Sequence, residues 1–200
     1  MIPGVIQTFS GGTFSIAQPR AQDVRLDDVA HALARQCRFT GHTREFYSVA
    51  QHSVLVSQCA MVLYDPDIVD EEELDAARRV GRLGLLHDAS EAYLCDVATP
   101  VKALLTNYQA LEDVVQAVVL DAFGVAADAA DWQLVHDADR FVFLAEVRDL
   151  MTPSAPVWSS SDRTEIHCRA WPRGEVVPWS AGEAEARFLQ RFHQLFTGGQ

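Results

Sequence analysis

His87 and Asp88 are adjacent in LLHDASEAYLCD, residues 85–96, and Glu91 and Asp96 follow in the same stretch. The apolar run before them marks buried surface, where an imidazole and a carboxylate are costly unless something compensates their charge. On a helix, His87 and Glu91 share a face at a spacing of four, and Asp88 and Glu91 are neighbours at a spacing of three. Imidazole plus carboxylate is a sensible ligand pair for a hard or borderline divalent cation, yet two adjacent residues are too few to hold one tightly. Further ligands must come from elsewhere: His52 in FYSVAQHSVLVS, and Asp137 or Asp139 in VHDADRFVFLAE. A second such dipeptide, His136-Asp137, competes for the role. A single His or Asp at a helix end is more often a cap or a surface group, so no dipeptide decides alone.

The elements that must position these groups are mostly helical. IQTFSGGTFSI, in residues 1–24, alternates short apolar groups around Gly11-Gly12 and predicts a small hairpin before Pro19. Asp27 and Asp28 open a helix through Val29, Ala32, Leu33 and Cys37, and QHSVLVSQCAMVLY reads as a second that Asp65-Pro66 breaks. DEEELDAARRVGRLGLLHDASEAYL starts with carboxylates suited to a helix N-terminus and predicts one helix ending near Leu94 to Asp96. NYQALEDVVQAVVLDAFG, DWQLVHDADRFVFLAEVRDLM and GEAEARFLQRFHQLF complete the set, the first stopped by its glycine. Residues 152–180, with Pro153, Pro156, Pro172 and Pro178, predict an irregular or extended stretch in which Trp158, Trp171 and Trp179 pin the chain over the core or line an oligomer contact, packing being the default. The whole reads as a single all-α domain over residues 1–200.

Composition excludes several classes. Four cysteines, Cys37, Cys59, Cys95 and Cys168, form no CxxC pair and read as reduced thiols. No stretch reaches the length of a membrane span and no secretory leader is visible, so a cytoplasmic protein without membrane contact is expected. A net charge of −12 disfavours stable nucleic-acid binding, and an anionic substrate would need a local positive centre such as a metal ion. Val114, Val115, Val118 and Val119 read as core or subunit interface. His31, His167 and His193 lack metal-like spacing, and His42 reads as a loop residue.

RFTGHTREFYSVAQHS, LLHDASEAYLCDVATPVK and DADRFVFLAE, in that order, resemble the HD-domain metal-dependent phosphohydrolases, with a weaker likeness in PWSAGEAEARFLQRF. The likeness is greatest to the YfbR-like 5'-deoxynucleotidases and the phage DatZ-like deoxynucleotide triphosphohydrolases. The resemblance implies an HD-domain helical bundle in which His52, His87, Asp88 and Asp139 bind one divalent cation (Co, Mn, Mg, Zn, Ni or Fe), the Ala-Asp pattern favouring Asp139 over Asp137. It makes Glu91 and Asp96 the proton-handling carboxylates. Arg38 and Phe39, Asp88, Asp96, Thr99 and Lys102 would contact the nucleotide, Arg38 through its planar fork, although a solvated Lys102 is an equal reading. A homo-oligomer is also implied. The expected function is therefore a metal-dependent 5'-deoxynucleotidase, a triphosphohydrolase being the alternative and a phosphodiesterase third. A noncatalytic nucleotide-binding regulatory module is the rival from another class.

Overall fold

In a computed structural model, which describes residues 2–65, 70–152, 171–172 and 174–197, helices dominate. The chain begins with a two-stranded antiparallel hairpin, β1 (Val5–Gln7) and β2 (Thr13–Ser15), paired Val5 to Ser15, Ile6 to Phe14 and Gln7 to Thr13. Alternation turns Phe14 inward, where it is fully buried and stacked on Tyr93. Helix α1 (Leu26–Arg35) follows. Asp28 does not cap it: its carboxylate accepts from Ser10 N at 2.6 Å and Ser10 Oγ at 2.9 Å, fastening the hairpin tip to the helix. The helix stops at Arg35, before Cys37, because Gln36 is extended and Cys37 bridges to Ser48.

Helix α2 (Val49–Tyr64) is the axis of the fold. It is apolar almost all round, as a helix surrounded by partners must be, and packs against α1, α3 (Glu71–Leu86), α7 (Ala129–Leu150) and α8 (Ala181–Phe196). Ser48 caps its N-terminus by accepting from Gln51 N at 3.2 Å. Two buried clusters meet on this helix. Val54 joins Phe14, Leu85 and Phe188 on one side, and Val56, Cys59 and Ala60 join Leu83, Val142 and Leu144 on the other.

The single helix expected over 70–94 is divided. Helix α3 ends at Leu86, and the chain proceeds through i to i+3 turns, Ala89 N to Leu86 O at 3.0 Å and Glu91 N to Asp88 O at 3.0 Å, into the short α4 (Glu91–Leu94). The tighter winding brings residues three apart into register, so Glu91 lies over Asp88 rather than one α-turn from His87. Helix α5 (Thr99–Lys102) and helix α6 (Tyr108–Ala122) follow, the latter closing on Gly124 with φ +65°. Val115 and Val119 of α6 are core, whereas Val114 is half-exposed. Helix α7 opens with a capping box between Asp128 and Asp131.

The expected irregular stretch falls largely outside the described residues, together with Pro153, Pro156, Trp158, His167 and Cys168. Its described end is extended: Gln51 donates to Val177 O at 2.8 Å and accepts from Trp179 N at 2.8 Å, strapping the segment to α2. No helix among the described residues is long and apolar enough to cross a membrane.

Candidate metal centre

His52 sits in the first turn of α2 with a fully buried side chain, which makes its ring positions a matter of fixed partners rather than solvent. Its Nδ1 lies 2.6 Å from Glu146 Oε1, also fully buried. A carboxylate accepts, so Nδ1 carries a proton, and Nε2 is the ring position left to take up a second proton or a cation. His87 is arranged alike: its Nδ1 donates to Gly84 O at 2.9 Å, leaving Nε2 bare. Both Nε2 atoms are buried and have no hydrogen-bond partner among the described residues.

These two nitrogens face carboxylate oxygens. Asp88 Oδ2 is 3.2 Å from His87 Nε2 and 3.7 Å from His52 Nε2, and Asp139 Oδ1 is 3.1 Å from His52 Nε2. The last contact has an ion-pair distance without hydrogen-bond geometry. One ligand atom each from His52, His87 and Asp88 falls within a mutual 4.8 Å. Lone pairs and anionic oxygens at such distances repel unless positive charge lies among them. Burial and Arg38 oppose a proton on His52, yet Glu146 and Asp139 outweigh them and its pKa is pushed up to about 9. Asp88 and Asp139 are both held below the usual carboxylate range: burial works the other way, but His87 first for Asp88, and His52 for Asp139, outweigh it. The donor set, two imidazole nitrogens and carboxylate oxygens, suits a borderline divalent cation.

The backbone explains the convergence. A Cβ on Gly84 would come within 3.1 Å of Ser57 Cα and 3.3 Å of Val56 O, so glycine there lets α3 lie directly on α2 and brings His87 toward His52. Asp139 and Glu146 are seven residues apart on α7, two turns on one face, and both reach His52. Asp137, the competing carboxylate, is exposed and accepts from Gln133 at 3.1 Å, while His136 is exposed beside Trp132.

Glu91 is buried to 3% exposure. One oxygen lies 3.4 Å from Lys102 Nζ and the other has no hydrogen-bond partner among the described residues. Burial, then Asp88 and Asp96, push its pKa up to about 9 against Lys102 and Arg38. Asp96 is raised by burial and Asp88 despite Arg38. Lys102 also holds Glu112 at 2.6 Å, so its ammonium is tied to two carboxyl groups. Arg38 donates through Nη1 to Asp88 at 3.4 Å and through Nε to Glu146 at 3.3 Å. Phe39 follows it in a turn where Phe39 and Thr40 take φ +55° and +53°, and its ring stacks on Phe143 at 5.7 Å between centroids. Thr99 is exposed at the start of α5, and the described contacts tie Lys102 but not Thr99 to the site. His42 is exposed, His31 pairs with Glu185 and His193 lies against Phe192.

Sequence reasoning passed over Glu146 and Tyr47. Glu146 accepts hydrogen bonds from His52 Nδ1, the Tyr47 hydroxyl at 2.8 Å and the Arg38 guanidinium, which together hold its carboxyl below the ordinary range although burial works against ionisation. The available signal was a lone carboxylate in the apolar helix run FVFLAEV, two turns after Asp139.

With the geometry in place, comparison with known proteins adds kinship. The chain is 33% identical over 193 residues to the uncharacterized protein YfdR of Escherichia coli K12, covering 95% of this chain and 94% of that one. It belongs to the YfdR family. A 121-residue portion, 59% of this chain and 57% of the relative, is 37% identical to an uncharacterized protein of Rhodobacter capsulatus. No family model matches the chain.

Proposed function

We propose that this YfdR-family chain is a divalent-metal-dependent phosphohydrolase of deoxynucleotides, acting as a 5'-deoxynucleotidase that converts a deoxynucleoside monophosphate to deoxynucleoside and phosphate. The observation that carries the reading is the pair of buried nitrogens without hydrogen-bond partners among the described residues, His52 Nε2 and His87 Nε2, converging on the Asp88 carboxylate from α2 and from just past the end of α3. Buried polar atoms are ordinarily satisfied, so two orphans aimed at one carboxylate support a cation between them.

His52, His87, Asp88 and Asp139 are the residues that would hold the ion. Bound there, a divalent cation would neutralise phosphate oxygens and lower the pKa of water toward neutrality. The rest falls to the chain. Arg38, anchored by Glu146 and Asp88, presents a guanidinium beside the cluster for a phosphate oxygen. Glu91 and Asp96 handle the protons of the attacking water and the leaving 5'-oxygen. Phe39 and Phe143 form an aromatic wall next to Arg38. Phosphoryl transfer needs this positioning and charge neutralisation more than covalent help.

Charge balance favours the monophosphate over the triphosphate. Among the described contacts, Arg38 and Lys102 are the arginine and lysine bonded to carboxylates of the site, both are already paired, and the chain carries −12 overall. A triphosphate would bring more negative charge to the same two cations.

The test is a panel of deoxynucleoside mono- and triphosphates against Mg, Mn, Co, Zn, Ni and Fe, with products separated by chromatography. Orthophosphate from monophosphates supports the proposal. A longer phosphate product from triphosphates would replace it with the triphosphohydrolase, and no turnover with any combination would leave a noncatalytic binding module.

A further inference from the structure

Glu91 and Asp96 stand at the two ends of one short segment, and an amide from a distant part of the chain grips both ends. Gln36 Nε2 donates to Glu91 O at 2.9 Å, and Gln36 Oε1 accepts from Asp96 N at 2.9 Å. The same Glu91 carbonyl accepts from Cys95 N at 2.8 Å. Between the anchors the chain reverses at Cys95, whose φ of +66° lies in the region that a residue with a Cβ rarely adopts. Such a conformation persists where its surroundings over-determine it.

The grip has a firm base. Gln36 follows the last turn of α1, and its carbonyl accepts from Val49 N at 3.1 Å, the first residue of α2. Cys37 bridges to Ser48, and Arg38 N donates to Tyr47 O at 2.9 Å. Gln36 thus belongs to the same rigid stretch that carries Arg38 and leads into the turn of His52. The chemistry selects the residue: one partner is a carbonyl and the other an N–H, so the side chain must offer a donor and an acceptor side by side, as a carboxamide does.

We infer that Gln36 is a positioning residue that sets the spacing and orientation of Glu91 and Asp96 relative to Arg38 and the metal cluster. The inference rests on the hydrolase reading above for its catalytic consequence, and on these hydrogen bonds for its structural one. Gln36 does not touch the cluster, so its loss should move the carboxylates while leaving the ligands in place.

The experiment compares full-length wild type, Gln36→Met, which keeps length but loses both hydrogen bonds, and Gln36→Glu, which keeps the acceptor. Three quantities are measured: backbone amide exchange at Asp96, Mn²⁺ affinity by calorimetry, and kcat and KM for phosphate release. In Gln36→Met, exchange at Asp96 should quicken about 10-fold, as expected for one lost hydrogen bond. Its kcat should fall roughly 10- to 100-fold, with KM and Mn²⁺ affinity changed by no more than about 3-fold. Gln36→Glu should lie between the two, and decides the matter if the methionine variant does not fold. Wild-type exchange together with wild-type kcat in both variants would overturn the inference, and so would a loss of Mn²⁺ affinity as large as the loss of kcat. A wild-type protein that releases no phosphate overturns the hydrolase reading and the catalytic role with it, whereas an active wild type with unchanged variants overturns the clamp alone.

Discussion

Glu146→Gln exchanges one buried oxygen for an NH2 group at a point where three donors converge. Oε1 accepts from His52 Nδ1 at 2.6 Å and Tyr47 Oη at 2.8 Å, and Oε2 accepts from Arg38 Nε at 3.3 Å. Whichever way the amide turns, its nitrogen confronts at least one of these donors. An unsatisfied buried donor costs about 1 to 3 kcal/mol, and removing one partner of a buried ion pair, here the anion facing Arg38, about 3 to 5 kcal/mol. The two overlap, so a loss of about 4 kcal/mol is expected, a fall in thermal midpoint of roughly 10 °C for a chain of this size. His52 can relieve part of this by giving up the Nδ1 proton, holding one on Nε2 and accepting at Nδ1. That relief occupies the nitrogen facing Asp88 and Asp139, so Mn²⁺ affinity should drop about 10- to 100-fold even where stability is partly recovered. Calorimetric titration and thermal unfolding, each with and without Mn²⁺, measure both. A variant with wild-type affinity and an unchanged midpoint would refute the role given to Glu146.

Glu91→Gln should retain Mn²⁺ binding and lose phosphate release by about 10²- to 10⁴-fold, and turnover within a few-fold of wild type would remove Glu91 from the chemistry. Stability in the presence of a chelator should fall as pH rises. His52 goes from 6.5 to about 9, with Glu146 and Asp139 prevailing over burial and Arg38, and Glu91 goes from 4.5 to about 9 through burial, Asp88 and Asp96. Both groups bind more protons folded than unfolded, so the stability they confer is complete below the unfolded values and lost on approaching pH 9. Thermal midpoints that climb between pH 6.5 and 9 without metal would contradict this assignment of protons. Gly84→Ala places a Cβ 3.1 Å from Ser57 Cα and 3.3 Å from Ser57 N, backbone atoms that cannot turn aside, and should destabilise by about 1 to 3 kcal/mol. Denaturant midpoints check it, and a neutral result would mean that α3 and α2 have room to separate.

The elements themselves were legible along the chain because apolar spacing, first-turn carboxylates and terminal glycines act locally. QHSVLVSQCAMVLY reads as a helix from Val54, Leu55, Cys59 and Val62 near helical spacing, and α2 ends at Tyr64 before Asp65-Pro66 as expected, with Val62 turned to solvent. Local signals misjudge where a helix tightens: nothing in LLHDASEAYL announces that α-winding gives way to i to i+3 turns after Leu86, because packing against α2 and the grip of Gln36 act from far away in sequence. Likewise Asp28 has the sequence of a helix-opening residue, yet Ser10 takes its carboxylate.

The sequence by itself determined the residue types in play: histidines and carboxylates at His52, His87-Asp88, Glu91, Asp96 and Asp139, set on helices in an acidic chain that needs a local positive charge to meet an anion. Only the tertiary structure decided which of them meet. It placed Asp139 rather than Asp137 at His52, brought His87 across a glycine contact, and supplied Glu146, Tyr47 and Gln36 as the groups that hold the others in place. The physical reason is that proton positions and ligand directions are set by partners tens of residues away, and such partners become neighbours only when α1, α3 and α7 close around α2.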